Sequence, residues 1–232
     1  MEQNIEQLEQ NLDIKFEDKN LLKTAFIHRS YLNEHPGEPL PHNERLEFLG
    51  DAVLGMVISE YLFIQFPDHP EGDLTNFRSS LVNARILSQI SASLNLGDYL
   101  FLSKGEEASG GRQRQYILAN TFEALLGAIF LDRGLEETKK FVLRYLLPPL
   151  KEIIEKQLYR DFKSILQEKS QEELATTPSY KVLKETGPDH AKVFLVGVYL
   201  GKKKLAQGAG SSKQLAEQEA ATVALENWDK KG

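Results

Sequence analysis

The stretch from Ile117 to Leu131 limits the fold more than any other. It holds fifteen residues and one charge, on Glu123. A helix this apolar on every side belongs inside a protein. A carboxylate on it needs a partner, because an unpaired interior charge costs several kcal/mol. Asn120 lies three residues before Glu123 and shares its face.

A second stretch offers that partner. His42-Asn43-Glu44-Arg45-Leu46-Glu47-Phe48-Leu49-Gly50-Asp51 opens an apolar-periodic run to about Phe66 and reads as a helix capped by Asn43. At about 100° per residue, Glu44, Glu47 and Asp51 share an arc of roughly 60°. Leu46, Leu49, Val53 and Val57 form the opposite, core-facing stripe. The acid arc continues through Gly55, Ile58 and Leu62, so the carboxylates are set in apolar surroundings. Buried like charges raise one another's pKa unless a cation neutralises them. Two buried helices with oxygen ligands at helical spacing can meet around a hard divalent cation. The alternative is pairing of Glu123 with Arg45, Arg78 or Arg85. Residue types alone leave both open.

Composition removes other chemistries. Without cysteine, thiolate metal sites, disulfides and thiol nucleophiles are excluded. The five histidines are scattered and form no zinc-type pair. No apolar run approaches a membrane span, and the acidic, polar start is no signal peptide, so a cytoplasmic protein is expected. The net charge of −6 argues against a polyanionic partner for the chain as a whole. Residues 1–160 carry 17 basic and 24 acidic side chains, net −7, whereas residues 161–232 carry 11 and 10, net +1. Polyanion binding therefore falls to local patches in the C-terminal part.

The chain order predicts two domains. Residues 1–157 read as almost wholly helical: a short helix over 3–12, a start signal at Asp18-Lys19-Asn20, the acid helix, and one helix over about Leu74–Leu94. The buried Glu123 helix ends at Gly134, and a last helix over Glu137–Gln157 is interrupted by Pro148-Pro149. The segment Ser103–Arg114 reads as a Gly-rich loop, either a phosphate approach or a plain connector. Residues 161–230 change character. A helix from Phe162 to about Gln171 precedes strands at Tyr180–Glu185, Lys192–Tyr199 and Lys203–Gly210, then a helix from Lys213 to Trp228 with an alanine stripe. The fold expected is an all-α helical domain followed by a small α+β (α-β-β-β-α) domain.

His42–Gly55 resembles the signature stretch of the ribonuclease III endonuclease domain, and residues 160–228 resemble a double-stranded-RNA-binding domain. Together they cover nearly the whole chain in the order of bacterial-type ribonuclease III. The resemblance implies a Mg²⁺-dependent endoribonuclease that cuts double-stranded RNA in ribosomal and other RNA processing. Mn²⁺ is expected to substitute. It implies a homodimer through the endonuclease domain, and products with 5′-phosphate and 3′-hydroxyl ends and short 3′ overhangs. Carried over by position, Asp51, Glu123 and Glu44 are the catalytic acids, and Glu47, Asn120 and Glu123 the metal ligands. Asn120 stands where the family commonly has Asp. It keeps a carbonyl oxygen for a cation but brings no charge and accepts no proton.

In the second domain the resemblance assigns RNA contacts to Gln167, Glu168, His190 and Lys213. Lys213 stands at a helix N-terminus, which itself favours phosphate. Gln214 and Leu215 occupy positions where the family often adds basic residues. Lys202, Lys203 and Lys204 are either a supplement to that surface or a solvated strand edge. The competing function is a non-catalytic double-stranded-RNA-binding protein that keeps the fold, a reading favoured by Asn120 and opposed by the four intact acids.

Overall fold

The computed structural model describes residues 5–155, 159, 161–188 and 192–229. Its contacts divide the chain into two compact units, Met1–Tyr159 and Arg160–Gly232. The first contains α1 (Ile5–Leu12), α2 (Lys19–Ala25), α3 (Arg29–Glu34), α4 (Glu44–Gln65), α5 (Glu71–Leu81), α6 (Ala84–Ser93), α7 (Lys104–Ala108) and α8 (Gln115–Glu155). Asp18 starts α2 as expected, its carboxylate accepting from the Asn20 backbone N–H at 2.8 Å.

The crossing of α4 with α8 is the most extensive packing in this unit. Leu46, Val53, Leu54, Val57, Ile58 and Leu62 of α4 enter the same core as Phe122, Leu125, Leu126 and Ile129 of α8. Each such side chain contributes on the order of 2 kcal/mol when fully buried, so apolar burial holds the crossing. Two glycines set its distance. A Cβ on Gly50 would lie 1.7 Å from the Glu123 carbonyl oxygen, and one on Gly127 would lie 2.2 Å from the Leu46 carbonyl oxygen. Both obstacles are backbone, so no rotamer change relieves them.

Three helix details differ from the sequence expectation, while the break expected at Gly134 is present. Asn43 stands at the N-cap of α4 but makes no side-chain cap. It is buried, and its Nδ2 donates instead to the Ala25 carbonyl at 3.2 Å. The helix expected over 74–94 is two helices, α5 and α6, because Asn83 takes an extended conformation and accepts from the Ile86 N–H at 3.1 Å. Pro148 and Pro149 do not interrupt α8; Leu146, Leu150 and Ile153 are buried on both sides of them, and that burial outweighs the lost hydrogen bonds. The break in α8 is at Gly134, whose φ of 79° favours glycine.

Ser103–Arg114 is not an open loop. Ser103 caps α7 through the Glu106 N–H, and a 3₁₀ turn covers Gly111–Gln113. The Arg112 guanidinium donates to the carbonyls of Gly97 and Leu100, each at 2.9 Å, while Arg114 is held by Glu106 and Ser109. Arg112 thus ties the segment to the preceding turn, and Arg114 closes it on itself.

The second unit runs α9 (Phe162–Leu174), β1 (Pro178–Thr186), β2 (Val193–Leu200), β3 (Lys203–Gly210) and α10 (Lys213–Asp229). The strands form one antiparallel sheet in the order β1-β2-β3. Leu166, Val198, Ala206, Ala220, Ala221 and Ala224 make its small core. The alanine stripe brings α10 so close to β3 that a Cβ on Gly208 would meet the Ala220 backbone nitrogen at 2.2 Å.

The two glycines of the first unit carry a direct test. Gly127→Ala should lower unfolding free energy by roughly 3 kcal/mol or more, read as a drop in the urea midpoint at constant slope. An unchanged midpoint would show that the helix backbones do not touch there.

Candidate active site and RNA-binding surface

The close crossing sets the Glu123 backbone against Gly50, between Glu47 and Asp51 on α4. Glu123 and Glu47 are half-buried; Asp51 and Glu44 are exposed. Burial, with Asp51 and then Glu47 nearby, pushes the Glu123 carboxyl from 4.5 up to about 7. Burial also raises Glu47, reinforced by Glu44 and Asp51 and opposed by a hydrogen bond from Asn120. Glu47, Asp51, Asn120 and Glu123 are therefore electrostatically one group, and Glu44 reaches it through Glu47.

No counter-ion explains this group. Among the described residues, Glu47, Asp51 and Glu123 form no salt bridge, and Arg78 donates elsewhere, to Ser59 Oγ at 2.8 Å. The arginine-paired alternative for Glu123 is thus not what this arrangement contains. Glu44 differs: its Oε1 lies 3.5 Å from Arg29 Nη1 and its Oε2 lies 3.8 Å from His42 Nδ1. That His42 nitrogen is buried and has no hydrogen-bond partner among the described residues. Burial lowers the pKa of neighbouring His28. Arg29, His28 and His42 are not singled out as site residues by the sequence; His42 is near Glu44 by chain position, whereas the nearness of His28 and Arg29 depends on the α3–α4 connection.

The fit to a divalent cation rests on donor chemistry. Carboxylate oxygens and the Asn120 carbonyl are the hard ligands magnesium takes. Among the described residues no three His, Cys, Asp or Glu side chains close into a ready cation cage. Asn120 supplies an amide oxygen and no carboxylate, so it does not enter that count. The amide nevertheless does something an ionised Asp cannot: it donates a hydrogen bond to Glu47.

In the second unit, Gln167 and Glu168 are exposed on α9. Lys213 is exposed at the first residue of α10. Its Nζ lies 3.4 Å from Glu185 Oε1 and 5.7 Å from the centre of the Phe194 ring. An exposed pair of this kind is worth under about 1 kcal/mol and yields readily to a phosphate. His190 lies outside the described residues. Lys202 to Lys204 sit at the turn between β2 and β3, at the end of β3 remote from Lys213.

A coupled acid group on two buried helices, joined to a helix-sheet-helix unit with a basic helix start, defines a hydrolase of structured nucleic acid. Comparison with known proteins narrows the class. Residues 18–150 match the Ribonuclease-III-like family, and residues 162–227 match the double-stranded RNA binding motif. Ribonuclease 3 of Streptococcus equi subsp. zooepidemicus is 48% identical over 219 residues, 94% of each chain. Ribonuclease 3 of Dehalococcoides mccartyi is 43% identical over 223 residues, 96% of this chain and 94% of that one. The solved nuclease domain of ribonuclease III from Campylobacter jejuni is 47% identical with a TM-score of 0.57, covering 62% of this chain and 96% of its own. The chain belongs to the ribonuclease III family. It is an endoribonuclease of double-stranded RNA, built from a helical nuclease domain and an α-β-β-β-α RNA-binding domain.

The raised Glu123 carboxyl has a consequence for stability. Its value is about 7 in the fold against 4.5 as the ordinary value. The folded state therefore binds more protons between those limits, and stability falls as pH rises through them. Below about 4.5 the contribution is fully present; above about 7 it is lost. Without divalent cations, the melting temperature of Glu123→Gln should lack this part of the fall and exceed that of the parent at pH 8. Parallel melting-versus-pH curves for the two proteins would contradict the assignment.

Proposed function

We propose that this enzyme hydrolyses phosphodiester bonds of duplex RNA with magnesium held by Glu47, Glu123 and the Asn120 carbonyl, manganese being able to substitute. The observation that carries this reading is the acid group on α4 and α8 with no counter-ion among the described residues. When bound, the cation supplies charge neutralisation at the phosphoryl oxygens and acidifies water. Asp51, exposed beside the two half-buried glutamates, orients the attacking water by accepting its hydrogen bond. Glu44 completes the set from its edge, where the Arg29 guanidinium lies 3.5 Å from its carboxylate. The products carry 5′-phosphate and 3′-hydroxyl ends with short 3′ overhangs. Residues 1–157 form the nuclease domain in this reading, and residues 161–230 grip the duplex through Gln167, Glu168, His190 and Lys213. Sequence preference is weak, since an A-form helix hides its base edges in a deep groove.

The proposed assembly is a homodimer through the nuclease domain. The Campylobacter jejuni relative is described with a region involved in dimer formation of that domain. In this chain Phe48, Met56 and Phe63 project from one side of α4 and are 81%, 47% and 73% exposed. At about 100° per residue they share an arc of roughly 80°, an apolar strip of the kind that marks a protein interface. Phe48→Asp should convert a dimer to monomer in sedimentation; a dimer that persists would place the interface elsewhere. The setting we propose is processing of ribosomal and other RNA precursors in the cytoplasm. Among the described residues no helix is long and apolar enough to cross a membrane.

The decisive experiment incubates the protein with a labelled RNA duplex, with and without Mg²⁺, alongside Glu123→Ala and Asn120→Asp. The expected outcome is Mg²⁺-dependent cutting to 5′-phosphate products, reduced at least 100-fold in Glu123→Ala, consistent with the loss of a group supplying several kcal/mol at the transition state. Asn120→Asp should cut faster at low Mg²⁺, because it adds a charged ligand. Binding without cutting in the parent protein, with cutting only in Asn120→Asp, would make this chain a duplex-RNA binder instead.

A further inference from the structure

The RNA-contacting positions leave one basic group of the second unit unused. Lys203 and Lys204 open β3, whereas Lys213 follows its other end. With a rise of about 3.3 Å per residue, the strand from Lys203 to Gly210 separates the two ends by roughly 23 Å. Lys203 has no salt bridge among the described residues, and Lys204 donates only to the neighbouring Gln207, at 2.6 Å. Gln167 lines a separate polar recess beside Ser164 and Gln214.

Next to these lysines lies a cleft of about 670 Å³, lined by Leu174, Leu200, Leu205 and Trp228 as well as Lys203 and Lys204. That volume is within the usual range of ligand sites, about 300–1,000 Å³. Leu174 is 54% exposed, so apolar surface is open to the cleft. Glu173 is the one acidic side chain on its wall, and its Oε2 accepts from Trp228 Nε1 at 2.8 Å. This bond holds the indole in place, and with Lys169, Lys203 and Lys204 against Glu173 alone the wall carries basic charge in excess. An ordinary solvated lysine edge would carry no aromatic-lined recess. Apolar floor, held aromatic ring and cationic rim are together the requirements of a nucleotide, whose base stacks while its phosphate pairs with ammonium groups.

We propose that this cleft binds an unpaired RNA nucleotide, so that the domain grips a single-stranded extension of a duplex in addition to the duplex itself. The proposal rests on the duplex-RNA reading of this unit and adds a second contact to it. RNA is the occupant chosen because the cleft belongs to a unit that matches an RNA-binding motif and because its charge complements phosphate.

Trp228 is the only tryptophan in the chain, so its fluorescence reports on this cleft directly. The full-length protein, without divalent cations to prevent cutting, is titrated with a blunt RNA duplex, the same duplex bearing a short uridine extension, and oligouridine alone. The tailed duplex should bind roughly tenfold tighter than the blunt one, the effect of about one stacked base, and should quench Trp228 emission where the blunt duplex does not. In the double variant Lys203→Gln, Lys204→Gln the tailed-to-blunt affinity ratio should fall to about one. Equal affinity for tailed and blunt duplex in the parent protein, or a ratio unchanged in the variant, would overturn the proposal and leave the duplex reading standing. Quenching by oligouridine without any binding of blunt duplex would support the cleft and sink the duplex reading instead. Quenching by uridine monophosphate or an acidic peptide but by neither oligouridine nor tailed duplex would overturn it.

Discussion

The backbone contact between α4 and α8 governs the nuclease domain. Gly50 and Gly127 let each helix touch the other's carbonyls, Glu123 on one side and Leu46 on the other. Helices normally cross at 8–10 Å, with side chains between them. Here the missing side chains bring Glu123 against the α4 face that carries Glu47 and Asp51. The apolar core supplies the driving force, and the glycines convert it into a position. The acids could not influence one another's ionisation so strongly from a normal crossing.

That proximity stores electrostatic strain. Three carboxylates lie near one another, and no cationic side chain among the described residues neutralises the central pair. Strain of this kind at a functional site is expected where a ligand relieves it. Asn120 moderates it. As an amide it adds no fourth charge and donates a hydrogen bond to Glu47, so the metal-free protein is less strained than one with Asp at the same place. Glu44 joins the group through Glu47 while lying 3.5 Å from Arg29, so among the described residues it is the one acid of the four with a cationic neighbour.

The RNA-binding domain solves a different problem. Its core is small, dominated by alanines of α10 and a glycine on β3. Small side chains allow a tight sheet–helix contact with little surface buried per residue. The two ends of the unit differ in chemistry: an exposed lysine at the start of α10, and an apolar cleft with lysines at the start of β3. Such a division is compatible with a near-neutral net charge, because binding depends on local patches and phosphate contacts rather than on the total.

Much was legible in the sequence because it was periodic or local. The acid face at helical spacing, the lone charge on an apolar helix, the strand grammar after residue 178 and the alanine stripe all follow from backbone geometry, and the family resemblance drew on the same residues. The misread elements turned on competition between local signals and packing. Asn43 was free to cap its helix but bonds to Ala25, Pro148 and Pro149 were overruled by buried neighbours, and Asn83 broke a run that looked continuous. The folding of Ser103–Arg114 into short turns required carbonyls from Gly97 and Leu100, which no local pattern announces. What the sequence by itself determined was which side chains could do chemistry, since residue type and spacing are intrinsic to the chain. Only the tertiary structure decided how near they come, because that distance is set by two glycines on different helices, 77 residues apart, whose meaning exists only where the helices cross.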